Sequence, residues 1–439
     1  MPEQYSLIDL GFLPGGIWSV PMSVSDSGGI CGWSATQSGG GQAFVWHMGT
    51  GMSSIGNLQG TRQEANGINF VGQVCGMQVT PDGHAHAFRW TPSLPNGTFG
   101  TYEQLVGLGD IQWVGNGRAI NRLGHVVGQA WGDYSVGDAA LWPDPSSIQQ
   151  LGTHSPDPGY FSWATAVNDH GNIAVVDEVN GAQTPALWAP IAPGGITGAL
   201  HPIGANAGIL SGQARGISLR GAVCGYFSRD PLGPTHAFRW TPTTPNGVDG
   251  NLVDLGSLPG TSHSEANAIS SMSVVGTSGG RAFIHYGSGG MQDLNDLIAP
   301  NSGWKLLVAT GINRHGWIVG YGSYQGGYQW RGFLLIPSLR HRPIHLGALV
   351  WAILGGVVDD SGGIRINPFG PRGPEPVPPW TGTVSPAIAD VLRLLVSSEL
   401  VKALQSERTS GQARIAALEA AAQRLRQIVE TLSIDSAGE

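Results

Sequence analysis

Apolar and polar residues alternate in many short runs along this chain, and one pattern of such runs recurs at a nearly constant spacing. The pattern is A-x-x-[IV]-[NS]-x-x-G, followed by an apolar pair that ends in glycine, as in EANGINFVGQVCG from Glu64. Its branched residue recurs in steps of 44, 52, 47, 50, 52 and 43 residues, at Val24, Ile68, Ile120, Val167, Ile217, Ile269 and Ile312. A repeat of this length is typical of a protein built from stacked structural units.

Two further strand-like runs accompany each copy of this motif. An A-F-x-W-like run follows it, as in HAFRW from His236, and a D-L-G-like run precedes it, as in VDLG from Val253. The Asn-x-x-Gly segment predicts a hairpin turn, because asparagine forms Asx turns and glycine tolerates positive φ. Each repeat therefore predicts four short strands, with the D-L-G run assigned to the motif that follows it.

The repeat predicts an all-β fold. A lone sheet of four short strands cannot bury both of its apolar faces, so neighbouring sheets must cover them. The sequence contains seven repeats of about 49 residues each. They predict a seven-bladed β-propeller over residues 1–339. A β-solenoid is the alternative, although its coils are usually shorter.

The three linked elements resemble the HAF-repeat family, over roughly residues 5–337. The strand that gives the family its name is His86-Ala87-Phe88 here, and it recurs as His236-Ala237-Phe238. Members are usually described as extracellular repeat proteins without an established activity, so the resemblance implies a repeat fold and an extracellular location. The N-terminal residues MPEQYSLIDLG show neither a basic nor an apolar region of a signal peptide, which favours the cytoplasm.

The period stops after Pro337, and the remaining sequence predicts three different segments. Residues 340–366 form an apolar and glycine-rich extension that is expected to add one or two strands, and residues 367–384 form a proline-rich linker. Residues 385–434 predict a two-helix module, whose first helix begins at Ser385-Pro386 and whose second carries a short a/d seam. Docking within the chain, self-association and binding to a partner protein all remain open for this module.

Composition narrows the possible partners. The chain has 69 glycines, 12% charged residues and a net charge of −8. Nucleic acid is a poor partner for such a chain, because tracking phosphates requires clustered lysine and arginine. The longest apolar run, from Leu346 to Val358, is shorter than the roughly twenty residues of a membrane span.

No motif for catalysis, a cofactor or a metal stands out in the sequence. His84 and His86 have metal-ligand spacing, but His86 is a repeat position and favours a structural hydrogen bond. Three cysteines, Cys31, Cys75 and Cys224, occupy one repeat position and are expected to fill the core. Glu64 and Glu265 belong to the second and sixth repeats and are expected to lie well apart.

The candidate binding residues come from two repeat positions. Two places before the motif branched residue, six of seven residues are polar, which predicts a wet central channel lined by Met22, Asn66, Arg118, Thr165, Arg215, Asn267 and Thr310. Four loop tryptophans lie slightly upstream, at Trp18, Trp113, Trp163 and Trp304, and would form a stacking face for a ligand. Bound water in the channel and packing between blades are the structural alternatives.

Together these features favour a non-enzymatic binding or scaffold protein. The propeller would recognise a protein or a glycan, and the helices would tether or oligomerise the chain. The alternative is a propeller-type hydrolase or lyase with its active site at the mouth of the channel.

The mass in solution tests the role predicted for the C-terminal module. If residues 385–434 mediate self-association, the full chain will have a multiple of the 45.8 kDa monomer mass, and a chain ending at Pro337 will be monomeric. Light scattering coupled to size-exclusion chromatography measures both masses. Two monomers would contradict self-association.

Overall fold

A computed structural model of the chain is all-β over the residues that it describes. These are 5–36, 40–55, 62–81, 83–108, 115–131, 137–155, 161–205, 207–271, 273–287 and 289–338, together with the backbone of 357–358 and 364–365. Contacts divide the chain into two units, Met1–Ser338 and Leu339–Glu439.

The first unit begins with a single strand, β1. Sets of four strands follow it along the sequence. The strands of the first three sets and β1 are β1 (Tyr5–Asp9), β2 (Gly16–Val24), β3 (Ile30–Thr36), β4 (Gly41–His47), β5 (Gly51–Ser54), β6 (Arg62–Ile68), β7 (Val74–Val79), β8 (Ala85–Pro92), β9 (Gly100–Gln104), β10 (Asn116–Ile120), β11 (Val126–Ala130), β12 (Asp138–Asp144) and β13 (Ser147–Gln150).

The later sets continue in the same order, with one 3₁₀ helix at Leu294–Leu297. Their strands are β14 (Ser162–Val167), β15 (Ile173–Val179), β16 (Ala182–Pro190), β17 (Gly198–Pro202), β18 (Ser211–Ile217), β19 (Val223–Ser228), β20 (His236–Pro242), β21 (Gly250–Gly256), β22 (Ser264–Ser270), β23 (Ser273–Ser278), β24 (Arg281–Tyr286), β25 (Met291–Asp293), β26 (Trp304–Ile312), β27 (Ile318–Tyr324) and β28 (Arg331–Pro337).

Each set of four strands pairs antiparallel in chain order, starting at β2, β6, β10, β14, β18 and β22. We call these sets sheet units one to six. A single parallel pair, Gly41 with Arg62, joins units one and two into one eight-stranded sheet. In the last unit, β26, β27 and β28 are completed by the N-terminal strand β1, whose Tyr5 is paired with Pro337.

The prediction of four strands per repeat is confirmed, but their grouping was wrong by one strand. The D-L-G strand β21 pairs with β20, the A-F-x-W strand before it, and not with the motif that follows. The N-terminal D-L-G strand, β1, has no A-F-x-W strand before it in the sequence. It pairs instead with β28, the A-F-x-W-like strand at the other end of the repeat region. Strand pairing between the two ends of the repeat region therefore completes the last sheet.

The hydrophobic core lies between consecutive sheet units. Cys31 and Val45 of unit one, for example, pack in one cluster with Phe88 of unit two. Clusters of the same kind join each unit to the next. A further cluster joins Phe44 of unit one to Leu334 of the last unit, so the series of contacts closes on itself. The arrangement is that of a β-propeller-like ring.

The asparagine of the repeat motif holds neighbouring units together at the hairpin turn. Asn121 Oδ1 accepts hydrogen bonds from the backbone N–H of Leu123 and His125, at 3.0 and 3.1 Å. Asn121 Nδ2 donates to the backbone oxygen of Asn168, the matching residue of the next unit, at 3.2 Å. One side chain therefore closes its own turn and ties that turn to the neighbouring sheet.

The equivalent bond also closes the ring. Asn313 Nδ2 of the last unit donates to the backbone oxygen of Ser25 in unit one at 3.0 Å, and Arg314 beside it forms an ion pair with Asp26 at 2.7 Å. These contacts join residues that are almost three hundred positions apart in sequence.

In the C-terminal unit, the structure describes two short antiparallel strands, β29 (Val357–Val358) and β30 (Ile364–Arg365). They fall within the extension predicted at 340–366. The linker predicted at 367–384 and the helical module predicted at 385–434 lie outside the described residues. Among the described residues, no helix is long and apolar enough to cross a membrane.

The closing asparagine offers a test of the ring. Asn313→Ala removes the bond to Ser25 and leaves two turn N–H groups without their acceptor, so we expect unfolding to become easier by about 2–3 kcal/mol. Chemical denaturation followed by tryptophan fluorescence measures this change.

Asn301→Ala is the matched control, because Asn301 is exposed on the turn that precedes β26. It should change the free energy of unfolding by no more than about 0.5 kcal/mol. Equal effects of the two substitutions would contradict the stapling role of Asn313.

Candidate functional site

One cavity of about 780 Å³ is lined by the first strand of every sheet unit. In each of these inner strands the pairing with the second strand slips by one residue, as between Gly117 and Ala119 of β10. Such a β-bulge inserts an extra residue and redirects its side chain. The bulged residues are Met22, Asn66, Arg118, Thr165, Arg215, Asn267 and Thr310.

All seven bulged residues line the cavity. The sequence position that predicted a channel lining therefore coincides with the bulge. The sequence showed that this position is polar. The structure explains why: the bulge turns this side chain away from the apolar faces of the sheet and toward the cavity.

A glycine on the second strand makes room for the bulge. At Gly225, a Cβ atom would lie 1.8 Å from the backbone oxygen of Gln213. The corresponding distances at Gly76 and Gly276 are both 1.9 Å, so no larger residue fits without a shift of the backbone. This is the glycine that ends the apolar pair of the repeat motif. Unit four differs, because it carries Val175 at this position.

The amide and hydroxyl groups on the bulges bind the inner strand of the next unit. Each donates a hydrogen bond to a backbone oxygen there, at 2.7–2.9 Å. The pairs are Asn66 with Gly117, Thr165 with Ala214, Asn267 with Ala309, and Thr310 with Pro21. Asn66 and Asn267 therefore hold the wall of the cavity together, whatever contact they make with a ligand.

Arg215 is held by three neighbouring side chains. Its Nη1 donates to Asn267 Oδ1 at 2.7 Å and forms an ion pair with Glu265 Oε2 at 2.8 Å. The guanidinium also lies 4.6 Å from the centre of the Tyr226 ring, in a cation–π contact.

Arg118 occupies the same position two units earlier but has a different environment. Its Nε atom is buried and has no hydrogen-bond partner among the described residues. Burial lowers the pKa of Arg118, the positive charge of Arg215 lowers it further, and the carboxylate of Glu64 opposes both effects. Arg118 therefore lines the cavity with a guanidinium group whose pKa is lowered by burial and by the positive charge of Arg215.

Glu64 and Glu265 both line this cavity, from the second and the sixth sheet unit. Each carboxylate is paired with an arginine, Glu64 with Arg62 and Glu265 with Arg215. Within the described part of the chain, no three His, Cys, Asp or Glu side chains are grouped as metal ligands.

Three of the four predicted tryptophans lie among the described residues, and they have different surroundings. Trp163 lines the cavity, two residues before Thr165 on β14. Trp18 is not among the lining residues and packs on two that are, Trp33 and Trp330, with ring centres 6.4 and 5.6 Å apart. Trp304 packs on Tyr324 and Phe333 in the interface between unit six and the last unit. Trp113 lies outside the described residues.

Three other aromatic residues line the cavity in their place: Trp33, Tyr321 and Trp330. Tyr321 and Trp330 are in contact, with ring centres 5.0 Å apart. Sequence reasoning missed them, although a signal was present. Trp33, Tyr226 and Tyr321 all follow the glycine of the second strand, so this position is aromatic in three of the repeats.

The cysteines have the environment that was expected of them. Cys31, Cys75 and Cys224 are fully buried and free. Burial raises the pKa of the Cys224 thiol to about 12, and it raises the pKa of the other two as well. They are protonated at neutral pH and serve as small core residues.

No known family model and no curated protein matches this chain. Solved structures with some similarity do exist. YCF48 bound to D1 peptide is 14% identical with a TM-score of 0.44, and the match covers 76% of this chain and 96% of that one. Oligogalacturonate lyase in complex with manganese is 12% identical with a TM-score of 0.46, covering 77% and 97%.

A lectin from Aleuria aurantia, in complex with Fucalpha1-6GlcNAc, is 10% identical with a TM-score of 0.34, covering 75% of this chain and 99% of the lectin. These three proteins differ in what they bind or do, and all three likenesses are low. They assign no function to the cavity.

The glycine opposite the bulge can be tested directly. Gly225→Ala places a Cβ atom on the backbone oxygen of Gln213, so we expect a loss of about 3 kcal/mol in the free energy of unfolding. Gly290→Ala is the control, since a Cβ atom there meets nothing within 4 Å. Urea denaturation of both variants measures the difference. An unchanged stability of Gly225→Ala would show that the bulge does not need the glycine.

Proposed function

We propose that residues 5–337 form a seven-bladed β-propeller of the HAF-repeat type, which acts as a binding module and takes a glycan in its central cavity. The observation that carries this proposal is the lining of the cavity. Flat aromatic faces stand there beside amides, carboxylates and guanidinium groups, a combination that suits sugar rings and their hydroxyl groups.

The number of blades rests on the inner strands. Seven of them contribute a bulged residue to the same cavity, and hydrophobic clusters connect each unit to the next and the last unit to the first. The linked repeat elements, seen for instance as HAFRW from His86 and from His236, support the family assignment.

A peptide is the alternative ligand, and the wall of the cavity favours it less. Extended peptides are usually recognised through backbone hydrogen bonds to a strand. Along these inner strands, backbone oxygens at Gly117, Ala214 and Ala309 already accept bonds from the neighbouring bulge side chains. Aromatic surfaces, in contrast, remain on the lining at Trp163, Trp33 and Trp330.

A hydrolase or lyase active at the mouth of the cavity is the second candidate. It is favoured by the presence of Glu64 and Glu265 in one cavity, since glycosidases use two carboxyl groups. The ion pairs of these residues with Arg62 and Arg215 support binding instead, because an arginine already holds each carboxylate.

The C-terminal residues 385–434 complete the proposal as a tether or an oligomerisation element. Their apolar positions at Ile415, Leu418, Ala422, Leu425 and Val429 support this role. The propeller would then present its cavity on an anchored or multivalent particle, which strengthens the capture of a repetitive glycan.

Trp163→Ala tests the binding function. A glycan array identifies the oligosaccharides that the full chain binds, and calorimetry gives their affinities. We expect the substitution to weaken binding by about 10-fold, because a sugar ring loses its stacking surface. Phe99→Ala is the control, since Phe99 is 84% exposed and is not among the cavity-lining residues.

Equal binding by both variants would contradict the proposed place of the ligand. Release of shorter sugars on incubation, abolished by Glu64→Gln or Glu265→Gln, would instead establish an enzyme.

A further inference from the structure

Arg118 differs from the other polar bulge residues in its hydrogen bonding. Asn66, Thr165, Asn267 and Arg215 each hold a partner in the wall of the cavity. Arg118 is partly buried, and its buried Nε atom has no hydrogen-bond partner among the described residues. A buried hydrogen-bond donor without a partner destabilises a fold, so the Nε atom of Arg118 suggests that a ligand supplies its partner.

The position of Arg118 identifies the neighbours of such a ligand. Arg118 lies on unit three and Arg215 on unit five, and the bulge of unit four between them carries Thr165. Arg118 and Arg215 both line the cavity, one on each side of this bulge. Trp163 precedes Thr165 on the same inner strand and also lines the cavity.

We propose that Arg118 and Arg215 bind the carboxylate of an acidic sugar, whose ring stacks on Trp163. This inference rests on the proposed glycan-binding function and specifies the ligand as a uronate. A guanidinium presents two parallel N–H groups that match the two oxygens of a carboxylate. Arg118 is the principal donor, because Arg215 already binds Glu265 and Asn267.

The charges around this subsite favour a carboxylate over a phosphate. Glu64 and Glu265 line the same cavity and would repel a dianion. A monoanion, in contrast, matches the single positive charge of Arg118, whose Nε atom lacks a hydrogen-bond partner among the described residues. The free carboxylate of a peptide C-terminus has the same chemistry, and the experiment separates this source from a sugar acid.

Ligand-observed NMR titration of the full chain tests the proposal with matched probes. D-glucuronate and D-galacturonate are compared with D-glucose and D-galactose, and N-acetyl-alanine supplies a carboxylate without a sugar ring. We expect at least one uronate to bind about 10-fold more tightly than its neutral sugar, and Arg118→Gln to remove this preference. Arg122→Gln is the control, because Arg122 lies on the same unit beyond the strand end and pairs with Asp169.

Thermal unfolding of the same variants separates binding from a structural role. Arg118→Gln should leave the melting temperature unchanged or raise it, since it removes a buried Nε donor that has no hydrogen-bond partner among the described residues. A large fall in melting temperature would make Arg118 a structural residue and overturn the proposal.

The remaining outcomes are also distinguishable. Binding of neutral sugars as tightly as uronates would overturn the carboxylate subsite but leave the glycan-binding function intact. Binding of N-acetyl-alanine in preference to every sugar would assign the subsite to peptide termini. Failure of all the sugars to bind would overturn the proposed function together with this inference.

Discussion

Every sheet unit in this protein is apolar on both faces, and this constraint governs the rest of the structure. A sheet of that kind needs a neighbour on each side, and only a closed series supplies one to every member. Closure depends on contacts between the ends of the repeat region: β1 completes the last sheet beside β28, and Asn313 binds Ser25. The excess of glycine and the scarcity of charge follow from this geometry and are not evidence of function.

The bulge in each inner strand converts a structural repeat into a lined cavity. It turns one side chain per unit away from the regular alternation of the strand, and in every unit but the fourth a glycine of the second strand provides the space for it. Most of these side chains stabilise the ring by binding the next unit. Arg118 differs from them, because its buried Nε atom has no hydrogen-bond partner among the described residues.

The periodicity predicted four strands per repeat and the residues that line the cavity, because burial imposes both patterns on the sequence. It did not predict the grouping of strands, since a periodic sequence has no intrinsic start and β1 is placed by closure alone. Trp18 and Trp304 share loop-like positions with Trp163, but their different packing depends on neighbours such as Trp330 that lie far away in sequence. The partners of Arg118 and Arg215 likewise depend on contacts between units.

A crystal structure of the full chain at a resolution that shows individual side chains would test the central claim most directly. The account predicts that the seven bulged residues surround one axis, with Arg118 and Arg215 facing the same space on either side of Thr165. Inner strands with regular alternation, or Arg118 bonded within the wall as Arg215 is, would contradict it.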